Sequence, residues 1–400
     1  MNTLQILQNN VQIILPENGL AQKLALAEKE NRPLIIKLGF DPTAADLHLG
    51  HAVVLKKLKE FQDLGHKIVI IVGSFTARIG DPTGKNKARQ PLTIEAVAEN
   101  AQTYINQLSK IIDINKAEIR FNSEWLDALS FSEVIQLMSK VTVAQLMHRN
   151  DFNKRYTENT PIAMHELVYP ILQAFDSVQI KADIEMGGTD QMFNCTMGRQ
   201  LQEAFGLETQ IVMCMPILRG LDGKEKMSKS LGNIIGLTDA PNDMFGKIMS
   251  IPDALIEEYI ALTTDFSFFE KGDMANQLKN GENPMKIKKL IAKNIIKQYY
   301  DEAAAQAAED FFVQQFQNKG FEDKAFDIIS LATLSLPLET TALELAFQLK
   351  GGTKSEIRRL IQNGALQING EKILDPFAPV LCQIGLKVKL GKRNFYELGA

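Results

Sequence analysis

The feature that most constrains the fold is a run of three elements between residues 34 and 73. Residues 34–40 (LIIKLGF) have the pattern of a buried strand, 48–64 of an amphipathic helix, and 67–73 (KIVIIVG) of a second apolar strand. A loop of turn-forming residues, 41–47, joins the first strand to the helix. Strand, helix and strand in this order predict a βαβ unit, and therefore a parallel sheet with a ligand crevice at the carboxyl ends of its strands.

The rest of the chain predicts further parts of different character. Helices are expected to about residue 180, with 122–165 as a helical insertion, and short strands near Ile184 and at 211–215. Beyond Leu237 the pattern is helical almost to residue 318. The predicted parts are an α/β domain (1–222), a loop (223–236), an α-helical domain (237–320), a connector (321–340) and a small α+β domain (341–400) with a hairpin turn at Asn369-Gly370.

Composition excludes some functions and leaves others open. The chain is 45% hydrophobic and 23% charged with a net charge of −4, and its strongest apolar run, residues 68–72, is too short to cross a bilayer. Cys195, Cys214 and Cys382 lack the spacing of a zinc site, which favours a structural role in the cytoplasm and predicts no metal site. Residues 341–400 hold nine Lys and Arg against five acidic residues, a basic end on an acidic body.

Two histidines stand at the start of the predicted helix, in the run His48-Leu49-Gly50-His51. A helix N-terminus offers free N–H groups and the positive end of the helix dipole, which suits phosphate. Side chains at i and i+3 share one face, so both imidazoles can donate to one anion. The alternatives are two surface histidines or a metal site, for which further ligands are lacking nearby. After a strand and a turn-rich loop, the motif favours nucleotide binding.

A second cationic element is the run Lys226-Met227-Ser228-Lys229-Ser230, bracketed by Gly223 and Gly232. Two lysines and two hydroxyls on such a loop can close on a triphosphate and stabilise the charge that develops on departing pyrophosphate. A lysine-rich turn by itself is ordinarily a solvated loop. Its pairing with the histidine motif, about 175 residues earlier, favours the catalytic interpretation.

Together the HLGH and KMSKS elements resemble the two signatures of class I aminoacyl-tRNA synthetases. The resemblance implies a Rossmann-like parallel-sheet catalytic domain with a helical insertion, then an α-helical tRNA-recognition domain and a small α+β RNA-binding domain. It implies that His48 and His51 hold the ATP phosphates. Lys226, Lys229 and Ser230 would form the closing loop. No protein general base is implied, because the amino-acid carboxylate attacks ATP, with Mg²⁺ sharing the charge.

The segment 164–176 (MHELVYPILQAFD) indicates which amino acid is bound. Tyr169, Gln173 and Asp176 recur at i, i+4 and i+7, so a helix places them on one face. An exposed polar stripe is the alternative, but the flanking residues are too apolar for a surface helix. A polar row on a buried helix needs partners, and a bound amino acid supplies them.

This helix resembles the tyrosine-binding helix of tyrosyl-tRNA synthetases, and so do the runs IGDPTGK (79–85) and GGTDQ (187–191). The implied tyrosine contacts are Asp81, Tyr169 and Gln173 to the ammonium, Asp176 to the phenol hydroxyl, and Gln191 near the carboxylate. The implied ATP contacts are Gly39, Asp41, Thr43, His48, His51, Lys85, Arg89, Gly188, Asp190 and Lys229. A carboxylate that awaits a hydroxyl explains rejection of phenylalanine, a discrimination already well known in tyrosyl enzymes.

One position departs from the pattern of many bacterial tyrosyl-tRNA synthetases. These have a tyrosine, a second contact to the phenol, three residues before the phenylalanine of their GFDPT segment. Here that position holds Lys37, three residues before Phe40. With its KMSKS loop intact, the chain resembles the alternative bacterial subfamily, and the full set of contacts to the phenol stays open.

The C-terminal sixty residues resemble a small RNA-binding domain shared by ribosomal and RNA-modifying proteins. The matching run is 353–364 (TKSEIRRLIQNG), followed by Ile368-Asn369-Gly370. Lys354 and Arg358 lie at i and i+4 and could contact a phosphate backbone. Arg359 could do the same or pair with Glu356. A cationic stripe at 286–297 indicates either RNA contact or a solvated face.

Three other functions compete with a tyrosine enzyme. A tryptophanyl-tRNA synthetase shares the fold, but the Gln173/Asp176 pair, the GGTDQ run and the basic tail favour tyrosine. A metabolite nucleotidylyltransferase would not need the C-terminal unit, and a non-catalytic homologue would not need the intact signatures. The family resemblance also implies tRNA(Tyr), L-tyrosine and ATP as partners, and a homodimer with the insertion at its interface.

Overall fold

The structure is a computed structural model. It describes residues 2–42, 46–80, 93–314, 326–334, 336–391 and 394–399. The chain divides into two compact units, residues 1–308 and 309–400.

The first unit is built on a six-stranded sheet in the order β1-β6-β5-β2-β3-β4. Its strands are β1 (Ile13–Leu15), β2 (Ile35–Phe40), β3 (Lys67–Val72), β4 (Ala117–Phe121), β5 (Ile184–Gly188) and β6 (Ile211–Met215). All neighbouring strands run parallel except β1, which pairs antiparallel with β6 at one edge. The carboxyl ends of β2 and β5, neighbours near the middle of the sheet, therefore open on the same side, where ligands bind in such folds.

Helices cover this sheet because its inner strands are mostly apolar on both faces, as in other parallel sheets. In the described ranges they are α1 (Thr3–Gln8), α2 (Gly19–Glu30), α3 (Leu49–Asp63), α4 (Ile94–Leu108), α5 (Ser123–Leu126), α6 (Phe131–Met138), α7 (Val143–Leu146), α8 (Asn150–Thr157), α9 (Met164–Ile180) and α10 (Met192–Ala204). Leu172 and Phe175 of α9 share an apolar cluster with Val69 and Ile71 of β3. This packing fixes α9 against the sheet, so the opposite face of α9 has a defined direction.

The remaining helices of the first unit follow the sheet. They are α11 (Pro241–Ser250), α12 (Ile256–Thr263), α13 (Phe268–Lys279) and α14 (Pro284–Tyr299), and then α15 (Glu302–Phe312), which spans the residue at which the two units divide. Ile287, Ile291 and Ile295 of α14 are fully buried at helical spacing, so an apolar stripe holds this segment together. None of the helices among the described residues is both long and apolar enough to cross a bilayer.

The second unit is a small α+β structure. Its strands are β7 (Asp327–Ser330), β8 (Glu339–Thr341), β9 (Leu366–Ile368), β10 (Glu371–Ile373), β11 (Pro379–Leu381), β12 (Lys387–Leu390) and β13 (Asn394–Gly399), and its helices are α16 (Ala342–Lys350) and α17 (Lys354–Gln362). A five-stranded sheet has the order β10-β9-β12-β13-β7, and β8 pairs with β11. Ile357 and Ile361 of α17 pack in a core with Val388 and Leu398 of the sheet.

The structure confirms the βαβ unit, the strands β5 and β6, and the hairpin at Asn369-Gly370, where both residues have positive φ. It also contains strands that the sequence did not predict, three of which lie at the edges of the two larger sheets. Residues 117–121 were expected to be helical but form the edge strand β4, and 13–15 pair with β6. Residues 327–330, within the expected connector, pair with β13 about seventy residues later. Each is a short edge strand, whose pairing depends on a distant partner rather than on local pattern. The predicted domain boundaries otherwise stay predictions.

Candidate active site

The histidine motif begins α3 at the carboxyl end of β2. His48 is the N-cap residue in extended conformation, and its backbone N–H donates to His51 Nδ1 at 3.3 Å. That bond makes Nδ1 the acceptor and leaves Nε2 of His51 as the ring donor. The two rings lie 3.9 Å apart between centroids. A Cβ at Gly50 would lie 3.0 Å from the His48 ring, so glycine leaves this ring room to lie against the backbone.

Both imidazoles are held neutral by their surroundings. Burial and the neighbouring His51 and Lys226 lower the pKa of His48 to about 2. Burial also lowers the pKa of His51 to about 4, against a smaller opposite effect of Asp190. At neutral pH the histidines can therefore donate N–H groups to an anion without carrying charge themselves, and the positive charge of this site comes from the lysines.

The lysine loop is placed beside the histidines by backbone pairing. His48 bridges Gly236, and the backbone N–H of Leu49 donates to Ile235 O at 3.0 Å. The base of the loop is tied by Asn233, which is 4% exposed. Asn233 Oδ1 accepts from Ser228 N at 2.8 Å and its Nδ2 donates to Lys226 O at 3.1 Å. The signatures, far apart in sequence, thus face each other across one crevice.

Two carboxylates hold the ends of the loop lysines. Lys226 Nζ lies 2.7 Å from Asp190 Oδ2, and Lys229 Nζ lies 2.6 Å from Asp46 Oδ2. The lysine side chains are 48% and 49% exposed, so these ion pairs are of the solvent-screened kind that contributes little to stability. Ser230 Oγ is 3.0 Å from Ser228 Oγ. The loop lysines are therefore already at the crevice but can be released at low cost.

The polar row of α9 turns into the protein interior, as the sequence predicted. Tyr169 Oη donates to Asp41 Oδ2 at 2.9 Å. Gln173 Nε2 donates to Glu185 Oε1 at 3.3 Å, which places it beside β5. Asp176, 3% exposed, is the innermost of the three. The row therefore leads from the carboxyl end of β2 to a buried carboxylate.

The carboxylate of Asp176 accepts hydrogen bonds from two residues that the sequence did not indicate as part of the site. Trp125 Nε1 donates to its Oδ1 at 2.9 Å, and Asn122 Nδ2 to its Oδ2 at 3.3 Å. Burial raises its pKa to about 7, while Lys37 and these two donors oppose the rise. Asn122 and Trp125 stand just after β4, and because that strand was not recognised from sequence, neither was its position beside α9.

Other predicted residues gather at the carboxyl ends of β2 and β5. Gly39 is exposed on the central strand β2, which leaves room for a ligand against its backbone. Asp41 accepts from Thr76 Oγ1 at 2.7 Å as well as from Tyr169. A Cβ at Gly188 would lie 2.7 Å from Asp190 Oδ1, so glycine makes room for that carboxylate.

Gln191 closes this group at the start of α10. Its Oε1 accepts from Asn194 Nδ2 at 2.9 Å, and Asn194 is 1% exposed. The buried amide therefore fixes which side of the Gln191 amide is the acceptor. Thr43, Asp81, Lys85 and Arg89 lie outside the described residues, so their predicted roles stay predictions.

The basic residues predicted to bind RNA lie on α17 of the second unit. Lys354, Arg358 and Arg359 are all exposed. Lys354 Nζ is 2.5 Å from Glu344 Oε1, and the Arg358 guanidinium lies 5.3 Å from the Phe377 ring centroid. Glu356 is bound by Thr353, its helix cap, at 2.9 Å. The arginines therefore keep their donors on the surface, whereas Lys354 has an acidic partner.

The cationic stripe of α14 is partly neutralised in the structure. Lys286 pairs with Glu282 at 2.9 Å, and Lys297 with Glu302 at 2.6 Å. Lys293 Nζ donates to Gln306 Oε1 at 2.8 Å. Exposed pairs of this kind are weak, so they are compatible with both interpretations of the stripe, a solvated face and RNA contact.

Comparison with known proteins agrees with this geometry. Residues 29–317 match the family model of class I tRNA synthetases for tryptophan and tyrosine. The chain is 52% identical to tyrosine–tRNA ligase 2 of Photorhabdus laumondii over 98% of both chains. It is 47% identical to tyrosine–tRNA ligase 2 of Clostridium acetobutylicum over 99% of this chain and 98% of that one. The fold resembles the tyrosyl-tRNA synthetase of Archaeoglobus fulgidus, solved with L-tyrosine, with a TM-score of 0.62 at 22% identity over 76% and 98% of the two chains.

The parallel sheet, the paired signatures and the family match define a class I aminoacyl-tRNA synthetase. Within that class the match to known sequences extends over nearly the whole chain and is with tyrosine enzymes. The chain belongs to the tyrosine–tRNA ligase family.

Proposed function

We propose that this chain activates L-tyrosine with ATP, forming tyrosyl-adenylate and pyrophosphate, and then transfers tyrosine to the 3′ end of tRNA(Tyr). The observation that carries the proposal is the polar row of α9, which ends in buried Asp176 and opens on the crevice that holds both signatures. Such a row matches an amino acid with a hydroxyl at its far end. Tyrosine is the amino acid whose length and phenol fit this description.

The tyrosine end of the site provides acceptors in the order that the substrate needs. Tyr169 and Gln173, with Asp81, would surround the ammonium group. Asp176 would accept from the phenol hydroxyl, with Trp125 and Asn122 keeping its oxygens in place. A phenylalanine would leave this buried carboxylate without a hydroxyl partner, which is costly in a desolvated site.

The nucleotide end supplies charge and donors for the reaction. The carboxylate of tyrosine, beside Gln191, attacks the α-phosphorus of ATP and forms the acyl–phosphate bond as the bond to pyrophosphate breaks. His48 and His51 would donate neutral N–H groups to the phosphates, while Lys226 and Lys229 balance the charge on departing pyrophosphate. Ser230 would join them on the closing loop. This is catalysis by position and electrostatics.

The remaining nucleotide contacts follow the crevice. Gly39, Asp41 and Thr43 would line it at the end of β2, Gly188 and Asp190 would meet the ribose, and Lys85 and Arg89 would meet pyrophosphate. Lys226 Nζ donates to Asp190 Oδ2 at 2.7 Å. When ATP binds, the ribose hydroxyls would replace this ammonium group as the donors to Asp190. Mg²⁺ would arrive on the phosphate oxygens of ATP.

The second unit would bind tRNA through α17. Arg358 and Arg359 present exposed guanidinium groups, and Lys354 lies on the same helix. Phosphate contacts of this kind fix position without reading sequence. We expect the triple substitution of these residues to alanine to slow charging of tRNA while leaving tyrosine-dependent pyrophosphate exchange unchanged. Loss of both activities would contradict this role.

We propose that the chain forms a homodimer with the helical insertion, residues 122–165, at its interface. Among the side chains of 122–165, Phe131 is 80% exposed, Val143 66% and Met164 69%. Large apolar side chains exposed in one segment are typical of an interface. Light scattering should give a mass near twice the 44.7 kDa of the chain, and a mass of one chain at micromolar concentration would contradict the dimer. We place the enzyme in the cytoplasm, since its three buried free cysteines fit a reducing compartment.

The experiment that tests the reaction is amino-acid-dependent exchange between pyrophosphate and ATP with each of the twenty amino acids. Exchange with tyrosine alone, weakened by Asp176→Ala, is the expected result. Exchange with tryptophan would overturn the assignment of α9. Absence of exchange from folded, ATP-binding protein would overturn the proposed reaction.

A further inference from the structure

A buried ion pair lies directly behind the row of α9. Lys37 of β2 and Glu185 of β5 are register partners in neighbouring parallel strands. Their side chains are 0% and 2% exposed, and Lys37 Nζ lies 2.9 Å from Glu185 Oε1. Burying two charges costs several kcal/mol per ion unless every lone pair and proton is satisfied. A pair kept in such a place therefore calls for an explanation beyond stability.

Lys37 uses its three ammonium protons inside the protein. Besides Glu185, its Nζ donates to Gln173 O at 3.0 Å and to Ser177 Oγ at 2.8 Å. An ammonium group has three donors, so these contacts leave none for a substrate phenol. Lys37 therefore does not replace the second phenol contact expected from the family pattern. It instead fastens two successive turns of α9 to the sheet.

Glu185 acts on the same helix from the other side. Its Oε1 accepts from Gln173 Nε2 at 3.3 Å, and its Oε2 accepts from Ser177 Oγ at 3.0 Å. Its Oε2 also accepts from Gln210 Nε2, a residue that is fully buried. The NH₂ group of Gln173 is directed to Glu185. The Oε1 atom of Gln173 is therefore the one that can accept from the ammonium group of the substrate. The ion pair thus decides the orientation of a predicted substrate contact.

We propose that Lys37 and Glu185 form one positioning unit for the substrate tyrosine, which orients Gln173 for the ammonium group and balances one positive against one negative charge near Asp176. The inference rests on the proposed function and names residues that act through others without touching the substrate. The pair would serve phenol recognition without the second tyrosine by holding α9, and with it Asp176, in place rather than by a direct contact.

The two members of the pair act on Asp176 with opposite sign. Among the described residues, Lys37 from β2 favours the Asp176 carboxylate and Glu185 from β5 disfavours it, while Trp125 and Asn122 donate to it. Removing Lys37 alone would leave two buried carboxylates near each other, and one of them would take up a proton. Removing the charge of Glu185 alone would leave the Lys37 ammonium to favour the Asp176 carboxylate without an opposing charge. This opposition gives the inference a test that loss of packing cannot imitate.

The test compares Lys37→Met, Glu185→Gln and the double variant in pyrophosphate exchange, with KM for tyrosine, KM for ATP and the acid limb of kcat/KM for tyrosine as readouts. We expect Lys37→Met to raise KM for tyrosine about tenfold and to move the acid limb about one pH unit higher. We expect Glu185→Gln to move the acid limb lower. The double variant has no charge at either position, and the native pair has no net charge, so the double variant should return the acid limb toward its original position. The KM for ATP should stay unchanged in all three variants.

Several outcomes separate this inference from the proposed function. Wild-type exchange with tyrosine tests the function first, before any variant is compared. If the wild type uses tyrosine but both single variants shift the acid limb in the same direction, or neither shifts it, the positioning role is wrong and the function stands. If Lys37→Met does not fold, as judged by its circular dichroism, Glu185→Gln decides alone, and a limb that fails to fall overturns the inference.

Discussion

The two ends of the crevice hold their charges in opposite ways. At the tyrosine end, Asp176 is 3% exposed and is fixed by Trp125 and Asn122. At the phosphate end, Lys226 and Lys229 are half-exposed and rest on the carboxylates of Asp190 and Asp46. One end holds a buried carboxylate fixed by two donors, whereas the other is a set of groups that can exchange partners.

The difference matches what each end has to do. Recognition of a phenol needs an acceptor whose position is set before the substrate arrives, because reorganisation would spend the binding energy that separates tyrosine from phenylalanine. Charge on pyrophosphate develops during the reaction, and lysines on a loop can follow it. Exposed ion pairs release them at a cost of about 0–1 kcal/mol. Rigidity and mobility are thus divided between the two ends of one site.

The largest effect is expected from Asp176→Asn, which keeps the shape of the rigid end and removes its charge. We expect kcat/KM for tyrosine to fall about 1,000-fold, or ~4 kcal/mol, as for truncation of a buried charged hydrogen bond. Asp46→Asn, the same chemical change at the mobile end, is the matched control. Pyrophosphate exchange measures both, and similar losses in the two variants would contradict the division.

Lys229→Met tests the mobile end. Its ammonium is proposed to act on charge that develops in the transition state, so kcat should fall about 100-fold with little change in KM for tyrosine. The control is Lys286→Met, which removes an exposed lysine of α14 paired with Glu282 and should leave the rate unchanged. A rise in KM for tyrosine without loss of kcat would place Lys229 in ground-state binding instead.

The pH dependence should differ between the two ends. Burial raises the pKa of Asp176 to about 7, and the carboxylate that accepts from the phenol is lost as pH falls through this value. We expect kcat/KM for tyrosine to fall about tenfold per pH unit below about 7. His48 and His51, with pKa values lowered to about 2 and about 4, stay neutral between pH 5 and 8. A profile that is flat down to pH 5 would show that Asp176 is not the titrating acceptor.

The smallest effect is expected from Asp46→Asn measured on ATP. The variant removes the 2.6 Å ion pair to Lys229 and should change KM for ATP by about twofold, within the range of exposed pairs. The change should shrink further at high salt, because exposed charges are screened. A tenfold change that persists in salt would show that the loop lysines are held more firmly than their exposure indicates.

Much of the site could be predicted because its chemistry is local in sequence. The histidines, the loop lysines and the row at 169–176 each lie within one short segment, and their spacing fixes which face they share. The turn-forming loop between the first apolar strand and the amphipathic helix was enough to place His48 at a helix N-terminus. The structure has His48 at the N-terminus of α3 and the row at 169–176 within α9.

What was missed depends on contacts between distant segments. Asn122 and Trp125 follow a strand whose short sequence gave no clear signal, and only its pairing with β3 brings them to Asp176. Asp46 has no distinguishing pattern in the sequence. Its partner Lys229 is 183 residues later in the chain, and only the fold brings the two together. Lys37 was noticed as a departure from a pattern, but its partner Glu185 was not.

The sequence by itself determined the βαβ framework and the residue types that hold phosphate and amino acid, because periodicity and short motifs are properties of neighbouring residues. Tertiary structure alone decided which groups are buried, which carboxylates pair with which lysines, and where protons are held. Lys37 is the clearest case. In the sequence, Lys37 is a charged residue within an otherwise apolar strand. Only the packing of α9 against β2 and β5 gives each proton of its ammonium group an acceptor.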